Sequence, residues 1–322
     1  MILVVGGAGY IGSHFVEELI YEKEVIVLDN LSTGHRQFVH EKAQFIEGNL
    51  GDEQLLHNIF RNYKIDAVVH FAASSLVGES IVNPLKYYEN NVNATFFLLK
   101  TMLSYGVKKF IFSSTAATYG IPSVDIIKED APTNPINPYG KSKLIIEWML
   151  DDFAKSYNLD YVILRYFNAA GAHINGRIGE NHTPETHLLP LILEHFLGTR
   201  DSISVFGSDY PTKDGTCIRD YVHVTDLAKA HLLSLHALLE NKLNREVFNL
   251  GNGSGYSVME VISTCERVVQ KKAIIQIEER RAGDPAKLVA SSDKIMKLLG
   301  WRPEHDILSI IETAWKWHSS RT

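Results

Sequence analysis

Cysteine is almost absent from this chain, which has only Cys217 and Cys265 among its 322 residues. Two cysteines cannot form the multi-bridge framework of a small secreted domain, so we expect both thiols to be reduced. The first residues also lack the basic segment and small-residue cleavage site of a secretory signal peptide. Together these absences predict a cytoplasmic protein.

Long apolar runs and an excess of positive charge are missing as well. No uncharged apolar stretch approaches the roughly 20 residues that a membrane-spanning helix needs. The formal net charge of −6 argues against non-specific nucleic-acid binding. We therefore expect neither a membrane nor a nucleic acid as a partner.

Short apolar runs alternate with helical patterns through the first half of the chain. Residues 2–5, 25–28, 45–46, 67–71, 110–112 and 161–164 predict strands, and residues 11–21, 53–63 and 91–105 predict helices. Such alternation is typical of a sheet with helices on both faces. The sequence therefore predicts an α/β fold with a doubly wound parallel sheet of the Rossmann type.

The pattern changes near residue 171. Residues 171–216 are rich in turn-forming residues and predict an irregular segment. After it, residues 224–240 and 257–269 predict helices, and residues 246–250 predict a strand. We expect a first domain over residues 1–170. A smaller C-terminal α/β substrate domain follows over residues 171–322, with segments that cross back to the first.

A glycine triplet follows the first predicted strand. Gly6, Gly9 and Gly12 permit a tight turn and close approach to a pyrophosphate, which the N–H groups at a helix start can bind, although any tight strand–helix turn can look similar. Asp29, 17 residues after Gly12, can accept hydrogen bonds from an adenosine ribose and would repel a 2′-phosphate. These residues favour NAD over NADP, and Arg36 is the one nearby residue that argues otherwise.

Tyr139 and Lys143 are four residues apart, which places a phenol beside an ammonium on one helix face. A nearby cation lowers a phenol pKa from its usual value of about 10, so Tyr139 is a candidate general base. Chance predicts about one such pair in this composition, and Tyr105 and Lys109 form a second. Gly106 predicts the end of a helix between those two, so only the Tyr139 pair shares a helix.

Hydroxyl side chains over residues 113–118 follow the predicted strand 110–112. Ligands bind beyond the carboxyl ends of strands in an open parallel sheet, so this cluster can meet Tyr139. Alone, the cluster is equally typical of caps and turns. Beside a phenol, a lysine and a dinucleotide motif, it indicates a hydroxyl that orients a substrate oxygen.

Longer motifs make the chain similar to the extended short-chain dehydrogenase/reductase family over nearly its whole length. They span residues 6–13, 29–34, 69–73, 77–80, 87–93, 138–143, 165–168, 206–212 and 214–223. The resemblance implies interconversion of UDP-galactose and UDP-glucose through a 4-keto sugar. Tyr139 would take the proton from the 4-hydroxyl while a hydride passes to tightly bound NAD. Lys143 would hold the nicotinamide ribose, and Thr115 would supply the hydroxyl beside Tyr139.

The resemblance also assigns the residues that contact the cofactor and the substrate. It implies an NAD site of Gly6, Gly9, Tyr10, Ile11, Gly12, Asp29, Asn30, Leu31, Ser32, Thr33, Gly34, Asn49, Leu50, Phe71, Ala72, Ala73, Asn90, Tyr139, Lys143 and Phe167. It implies a UDP-sugar site of Thr115, Tyr139, Asn168, His187, Leu188, Val205, Phe206, Arg219, Arg281 and Asp284. Ser75 stands where some members carry a lysine near the cofactor phosphates. Leu288 lies where relatives carry either a bulky tyrosine or a small residue that limits the sugar pocket. A leucine there implies room for an N-acetyl group, so we expect UDP-GlcNAc and UDP-GalNAc to be accepted too.

Two alternative functions are a dehydratase and a non-catalytic scaffold. Nucleotide-sugar 4,6-dehydratases of the same family carry an Asp-Glu pair after the threonine, whereas this chain has Ala116 and Ala117, which cannot transfer protons. A non-catalytic NAD-binding scaffold would be indicated by the loss of Tyr139 or Lys143, and both are present.

His182, Glu185 and His187 lie in an irregular stretch with no second ligand pair at a recognised spacing, so we predict no metal site.

Helices predicted over 91–105 and 139–154 carry apolar residues on more than one face. The family resemblance implies that these helices form a homodimer through a four-helix bundle.

Overall fold

The computed structural model describes residues 1–281 and 284–321. Its strands are β1 (Ile2–Val5), β2 (Val25–Asp29), β3 (Gln44–Glu47), β4 (Ala67–His70), β5 (Lys109–Thr115), β6 (Asp160–Tyr166), β7 (Asn168–Ala170), β8 (Ile203–Phe206), β9 (Ile218–Arg219), β10 (Tyr221–His223), β11 (Arg245–Leu250), β12 (Tyr256–Ser257), β13 (Ile275–Glu278) and β14 (Lys287–Leu288). Its α-helices are α1 (Tyr10–Leu19), α2 (Glu53–Asn62), α3 (Val77–Val82), α4 (Pro84–Tyr87), α5 (Ala94–Ser104), α6 (Pro138–Tyr157), α7 (Leu188–Phe196), α8 (Val224–Leu239), α9 (Val258–Val269), α10 (Asp293–Leu299) and α11 (Ile307–Ser319). A π-helix spans Tyr88–Asn93, and 3₁₀ turns span Arg36–Phe38 and Ala116–Thr118.

Seven parallel strands form the main sheet, in the order β11-β6-β5-β4-β1-β2-β3. Side chains alternate across it, as the strand period requires. Ile2 and Val4 pack on the face that α1 and α8 cover, whereas Leu3 and Val5 pack on the face that α2, α5 and α6 cover. Both faces are therefore buried, and the predicted doubly wound parallel sheet is confirmed.

The later part of the chain contributes to two regions. The strand β11 joins the edge of the main sheet beside β6, and α8 packs on α1. The helices α7, α9 and α11 instead bury their apolar faces with β8 in a separate core cluster. Residues 224–250, which include α8 and β11, thus lie with the main sheet although they follow residue 171 in the chain. The division into domains over residues 1–170 and 171–322 stays a prediction.

The segment predicted to be irregular, residues 171–216, contains regular structure. It includes α7 and β8, so that expectation is wrong. Pro190 hides the helix in the sequence, yet it lies in the first turn of α7, where a missing N–H breaks no helical hydrogen bond.

Two further features bear on the sequence-based expectations. Both Cys217 and Cys265 are buried and free. Across the described residues, no helix combines the length and apolarity that crossing a membrane requires.

Candidate active site

The helix α6 places Tyr139 and Lys143 one turn apart at its start. Asn137 caps it by accepting a hydrogen bond from the Gly140 N–H at 2.8 Å, and Pro138 is its first residue. Gly140 is required because a Cβ there would lie 2.5 Å from the Ala117 carbonyl oxygen. The close approach of α6 to the 3₁₀ turn brings Tyr139 beside Thr115.

The second Tyr-x-x-x-Lys pair is not helical throughout. Tyr105 caps the C-terminus of α5, Gly106 has φ +75°, and Lys109 is the first residue of β5. The prediction that only Tyr139 and Lys143 share a helix is confirmed.

Thr115, Tyr139 and Lys143 converge at the carboxyl end of β5. Thr115 is the last residue of that strand, and its side chain forms a hydrogen bond with Tyr139. Lys143 donates to the Ser113 carbonyl at 2.8 Å, and its Nζ lies 4.8 Å from the centroid of the Phe112 ring. The exposed fraction is only 8% for Tyr139 and 2% for Lys143, so proton transfer here is shielded from bulk water.

Burial dominates the electrostatics of this pair. It raises the pKa of Tyr139, and the hydrogen bond from Thr115 opposes the rise. It lowers the pKa of Lys143 to about 7, although the negative charge of Glu147 opposes the fall. The sequence reasoning that Lys143 lowers the pKa of Tyr139 therefore omitted the larger effect, which is desolvation of both groups.

A buried ion pair that the sequence analysis did not identify supports Lys143 from the next turn of α6. Glu147 accepts hydrogen bonds from Arg165 Nε at 3.0 Å, from Arg165 Nη2 at 2.5 Å and from the Ser114 hydroxyl at 2.5 Å. Arg165 also donates to the Tyr119 hydroxyl at 2.9 Å. Glu147 lies four residues after Lys143 on the same helix face, and that spacing was the available signal.

The π-helix fixes the loop after β4 against α6. Asn91 accepts from the Ser74 N–H at 2.8 Å and donates to the Ser74 carbonyl and the Ser142 hydroxyl, both at 3.0 Å. The predicted cofactor residue Asn90 donates to the Ser74 hydroxyl at 3.0 Å. Sequence reasoning missed Asn91 because it placed residues 91–105 in one α-helix. The π-helix that is present instead is of a kind frequent at functional sites.

The glycine-rich turn has the geometry that a pyrophosphate needs. Gly6 has φ +78°, and a Cβ there would lie 2.5 Å from the Ala72 nitrogen. A Cβ on Gly12 would lie 2.2 Å from the Gly6 oxygen. Gly9 is the N-cap of α1 and offers no side chain, so the first N–H groups of that helix are available to an anion.

Asp29 holds the loop that would receive the adenosine ribose. Its carboxylate accepts from the N–H groups of Ala8 and Leu31, each at 2.9 Å. Burial raises its pKa, and these two hydrogen bonds oppose the rise. Leu31 has φ +55°, and a Cβ on Gly34 would lie 2.9 Å from the Ala8 carbonyl carbon. The loop 29–34 thus lies against the glycine-rich turn, and together they fit NAD.

Other predicted cofactor residues have structural contacts of their own. The Tyr10 hydroxyl donates to the Gly171 carbonyl at 2.6 Å. Phe71 packs its ring against Phe15 and His231, with centroids 5.4 and 4.7 Å away. Asn49 accepts from the Gly51 N–H at 2.8 Å. The remaining predicted residues occupy the positions that their elements give them: Ile11 in α1, Asn30, Ser32 and Thr33 in the loop after β2, Leu50 before α2, Ala72 and Ala73 after β4, and Phe167 between β6 and β7.

Five of the ten predicted UDP-sugar residues form a cluster around β8 and β9: Val205, Phe206, Arg219, Arg281 and Asp284. The Arg281 guanidinium carbon lies 3.9 Å from the centroid of the Phe206 ring. Arg219 donates to Asp284 at 2.5 Å and to the Pro285 carbonyl at 2.9 Å. Val205 is 1% exposed in the core cluster of α7 and α9, so its side chain cannot face a ligand without rearrangement.

The remaining predicted substrate residues lie at element ends. Asn168 begins β7, and its N–H donates to the Asp220 carbonyl at 3.0 Å. His187 is the N-cap of α7 and Leu188 its first residue. Burial lowers the pKa of His187, but hydrogen bonds to Glu180 and Glu185 outweigh it and raise the pKa to about 10.

Comparison with known proteins gives matches along almost the whole chain. The UDP-glucose 4-epimerase of Halalkalibacterium halodurans is 54% identical over 319 residues, which cover 98% of this chain and 95% of that relative. The crystal structure of UDP-glucose 4-epimerase from Brucella ovis in complex with NAD is 46% identical, with a TM-score of 0.94 and coverage of 98% and 97%. That from Bifidobacterium longum in complex with NAD⁺ and UDP is 38% identical, with a TM-score of 0.94 and coverage of 99% and 98%.

A family model matches the part of the chain that carries the glycine-rich turn and the catalytic residues. The match spans residues 2–251, from the glycine-rich turn through Thr115, Tyr139 and Lys143 to the end of β11. The chain therefore belongs to the NAD dependent epimerase/dehydratase family.

Proposed function

We propose that this protein is a UDP-glucose 4-epimerase, which interconverts UDP-galactose and UDP-glucose through a 4-keto sugar. The observation that carries the proposal is the convergence of Thr115, Tyr139 and Lys143 in a shielded position at the carboxyl end of β5. A phenol there can hold the proton of a sugar hydroxyl and return it. Relatives with this activity match almost the whole chain.

Each residue of the catalytic set has a task that its contacts permit. Thr115 orients the 4-oxygen of the sugar, and its hydrogen bond to Tyr139 opposes the burial that raises the tyrosine pKa. Tyr139 removes the proton from that oxygen and later returns it. Lys143, held by the Ser113 carbonyl, positions the nicotinamide ribose. Bound NAD supplies reversible hydride transfer at C4, so the cofactor ends each cycle oxidised.

Asp29 supports NAD over NADP. Its carboxylate is buried and faces the ribose loop, where a 2′-phosphate would meet like charge without solvent screening. Arg36 does not compensate, because its guanidinium carbon lies 4.5 Å from the centroid of the Phe45 ring.

The UDP part of the substrate fits the cluster around β8 and β9. Arg219 and Arg281 offer planar, permanently charged groups that suit bidentate contacts with a diphosphate. Asp284 holds the Arg219 side chain and Phe206 holds that of Arg281. The positions of Asn168 and of Leu188 at the start of α7 are consistent with the same site.

Dehydration and a purely structural role are less well supported. Ala116 and Ala117 begin the 3₁₀ turn directly after Thr115 and carry no acid or base for chemistry at C5 and C6. A scaffold would have no need to bury Lys143, since burial of its charge costs free energy.

Two finer features belong to this proposal. Leu288 is half-buried in β14, and its moderate size is consistent with the larger N-acetylated sugars, so we expect turnover of UDP-GlcNAc as well. A homodimer is supported by exposed apolar side chains on neighbouring helices: Ile81, Val82, Leu85, Tyr88, Phe96 and Trp148.

The direct test is to incubate purified protein with UDP-galactose and no added cofactor, and to measure UDP-glucose. We expect conversion, and we expect Tyr139→Phe to slow it by roughly 10²–10⁴-fold, the usual contribution of a general base. Tyr105→Phe, in the non-helical pair, is the matched control and should retain activity. No conversion even with added NAD would refute the proposal, and the same assay with UDP-GlcNAc tests Leu288.

A further inference from the structure

Four side chains before α7 bring their ligand atoms close together. Glu180, His182, Glu185 and His187 each offer one ligand atom, and these four atoms all lie within 4.8 Å of one another. His187 Nδ1 lies 3.0 Å from Glu180 Oε1 and 2.9 Å from Glu185 Oε1. His182 Nδ1 lies 3.4 Å from Glu180 Oε1 and 3.6 Å from Glu185 Oε2.

These separations match the edges of a small coordination tetrahedron. A zinc ion bound at about 2.0–2.1 Å in tetrahedral geometry keeps its nitrogen and oxygen ligands about 3.3–3.4 Å apart. The four distances between imidazole nitrogens and carboxylate oxygens bracket this value, with Glu185 using Oε1 toward His187 and Oε2 toward His182. Because all four donor atoms lie within 4.8 Å of one another, a pair at that limit must close by about 1.4 Å to surround an ion.

An unsatisfied nitrogen points into the same space. His182 Nδ1 is shielded from solvent, and neither of the carboxylate oxygens near it, at 3.4 and 3.6 Å, meets hydrogen-bond geometry. Leaving a buried polar atom without a partner is energetically unfavourable, so such atoms are rare. A metal ion between the two carboxylates would satisfy it.

The surrounding fold holds the carboxylates in place. Glu185 Oε1 accepts from the N–H groups of Thr186 at 2.7 Å and His187 at 2.8 Å. The Glu180 carbonyl accepts from Trp317 Nε1 at 3.2 Å, and the Glu180 side chain is buried. Contacts of this kind orient metal ligands in known sites.

We propose that Glu180, His182, Glu185 and His187 bind one divalent transition-metal ion, with zinc as the best match. Imidazole ligands suit zinc, whereas magnesium and calcium prefer all-oxygen sites. Four protein ligands leave no open position, so the ion is structural. The sequence-based prediction of no metal counted only three of these residues and omitted Glu180.

The location suggests what the ion stabilises. The His182 ring packs edge-on against Tyr10 with centroids 6.2 Å apart, and Tyr10 begins α1 in the glycine-rich turn. His187 caps α7 on the other side. An ion here would link the cofactor turn to the helix at the predicted UDP-sugar site.

The test is metal analysis of tag-free protein purified without chelator and dialysed against micromolar zinc. We expect about one zinc per chain, with loss of that ion in His182→Asn. His57→Asn, in α2 and outside the cluster, is the matched control and should keep it. Cobalt substitution should give the intense visible absorption of tetrahedral Co²⁺ in the wild type and not in His182→Asn.

Thermal unfolding supplies a readout independent of turnover. Chelation with EDTA should lower the melting temperature of the wild type and of His57→Asn, and leave that of His182→Asn unchanged. Wild-type protein that retains no zinc, or a His182→Asn variant that binds zinc as well as the wild type, would overturn the proposal. The cluster would then be an ion-pair network only.

Discussion

Individual residues of the site could be predicted where the backbone alone dictates them. Gly6 and Gly12 are required because a side chain would collide with neighbouring backbone, and Asp29 because it ends β2 beside the turn. Glu147 and Arg165 could not be predicted as a buried pair, because Arg165 comes from β6 and charged residues are usually exposed.

Lys143 allows a test of burial at the residue scale. Its pKa is lowered from 10.5 to about 7 in the folded protein. Between these values Lys143 binds more protons in the unfolded chain, so its contribution to the stability of the wild type rises with pH over this window. Below about pH 7 both states are protonated, and the full cost of the buried charge, on the order of a few kcal/mol, is present.

Lys143→Met removes that cost. We expect the melting temperature of the variant, relative to that of the wild type, to be highest at or below pH 7 and to decline toward pH 10. Loss of the donor to the Ser113 carbonyl adds a constant penalty that does not depend on pH. Lys141→Met, exposed on the same helix, should show no such trend. A pH-independent difference for Lys143→Met would contradict the account.

At the scale of elements, periodicity and capping residues predicted all seven strands of the main sheet and helices such as α6, which was predicted over residues 139–154 and spans Pro138–Tyr157. Long-range contacts decided what the sequence did not reveal. The π-helix depends on Asn91 contacts with Ser74 and Ser142, and α7 depends on packing with α9 and α11. Neither kind of contact has a local signature.

The turn between β1 and α1 gives a prediction at this scale. Gly12→Ala would place a Cβ 2.2 Å from the Gly6 oxygen, so the turn must open and its N–H groups must move. We expect loss of retained NAD, measured by absorbance after denaturation, and a lower melting temperature. Gly78→Ala, in α3 with no atom within 4 Å of the added Cβ, should retain both properties. Normal NAD content in Gly12→Ala would refute the assigned role of the turn.

At the scale of the whole molecule, the exposed apolar helices predict self-association. Trp148 in α6 is 59% exposed, and it lies with the apolar set named above. We expect a dimer by light scattering at micromolar concentration, and Trp148→Glu should shift it toward monomer. Ile274→Glu, which changes a side chain 62% exposed elsewhere, is the control. A wild-type protein that is monomeric throughout this concentration range would exclude the dimer.

The domain arrangement also belongs to this scale. Sequence reasoning anticipated segments that cross back to the first domain, yet it could not identify β11 as an edge strand of the main sheet. That assignment depends on pairing between residues 245–250 and 161–166, which are far apart in the chain. Long-range contacts likewise join the cofactor and substrate regions, as in the hydrogen bond from the Tyr10 hydroxyl to the Gly171 carbonyl.

The central claim is that the hydrogen at C4 leaves as hydride and returns to C4 within one active site. Tyr139 meanwhile holds the proton of the sugar 4-hydroxyl. The most direct measurement is mass spectrometry of the product from UDP-galactose deuterated at C4. The account predicts UDP-glucose of unchanged mass that keeps its deuterium at C4. Loss of the deuterium to solvent, or a product lighter by one water, would contradict it.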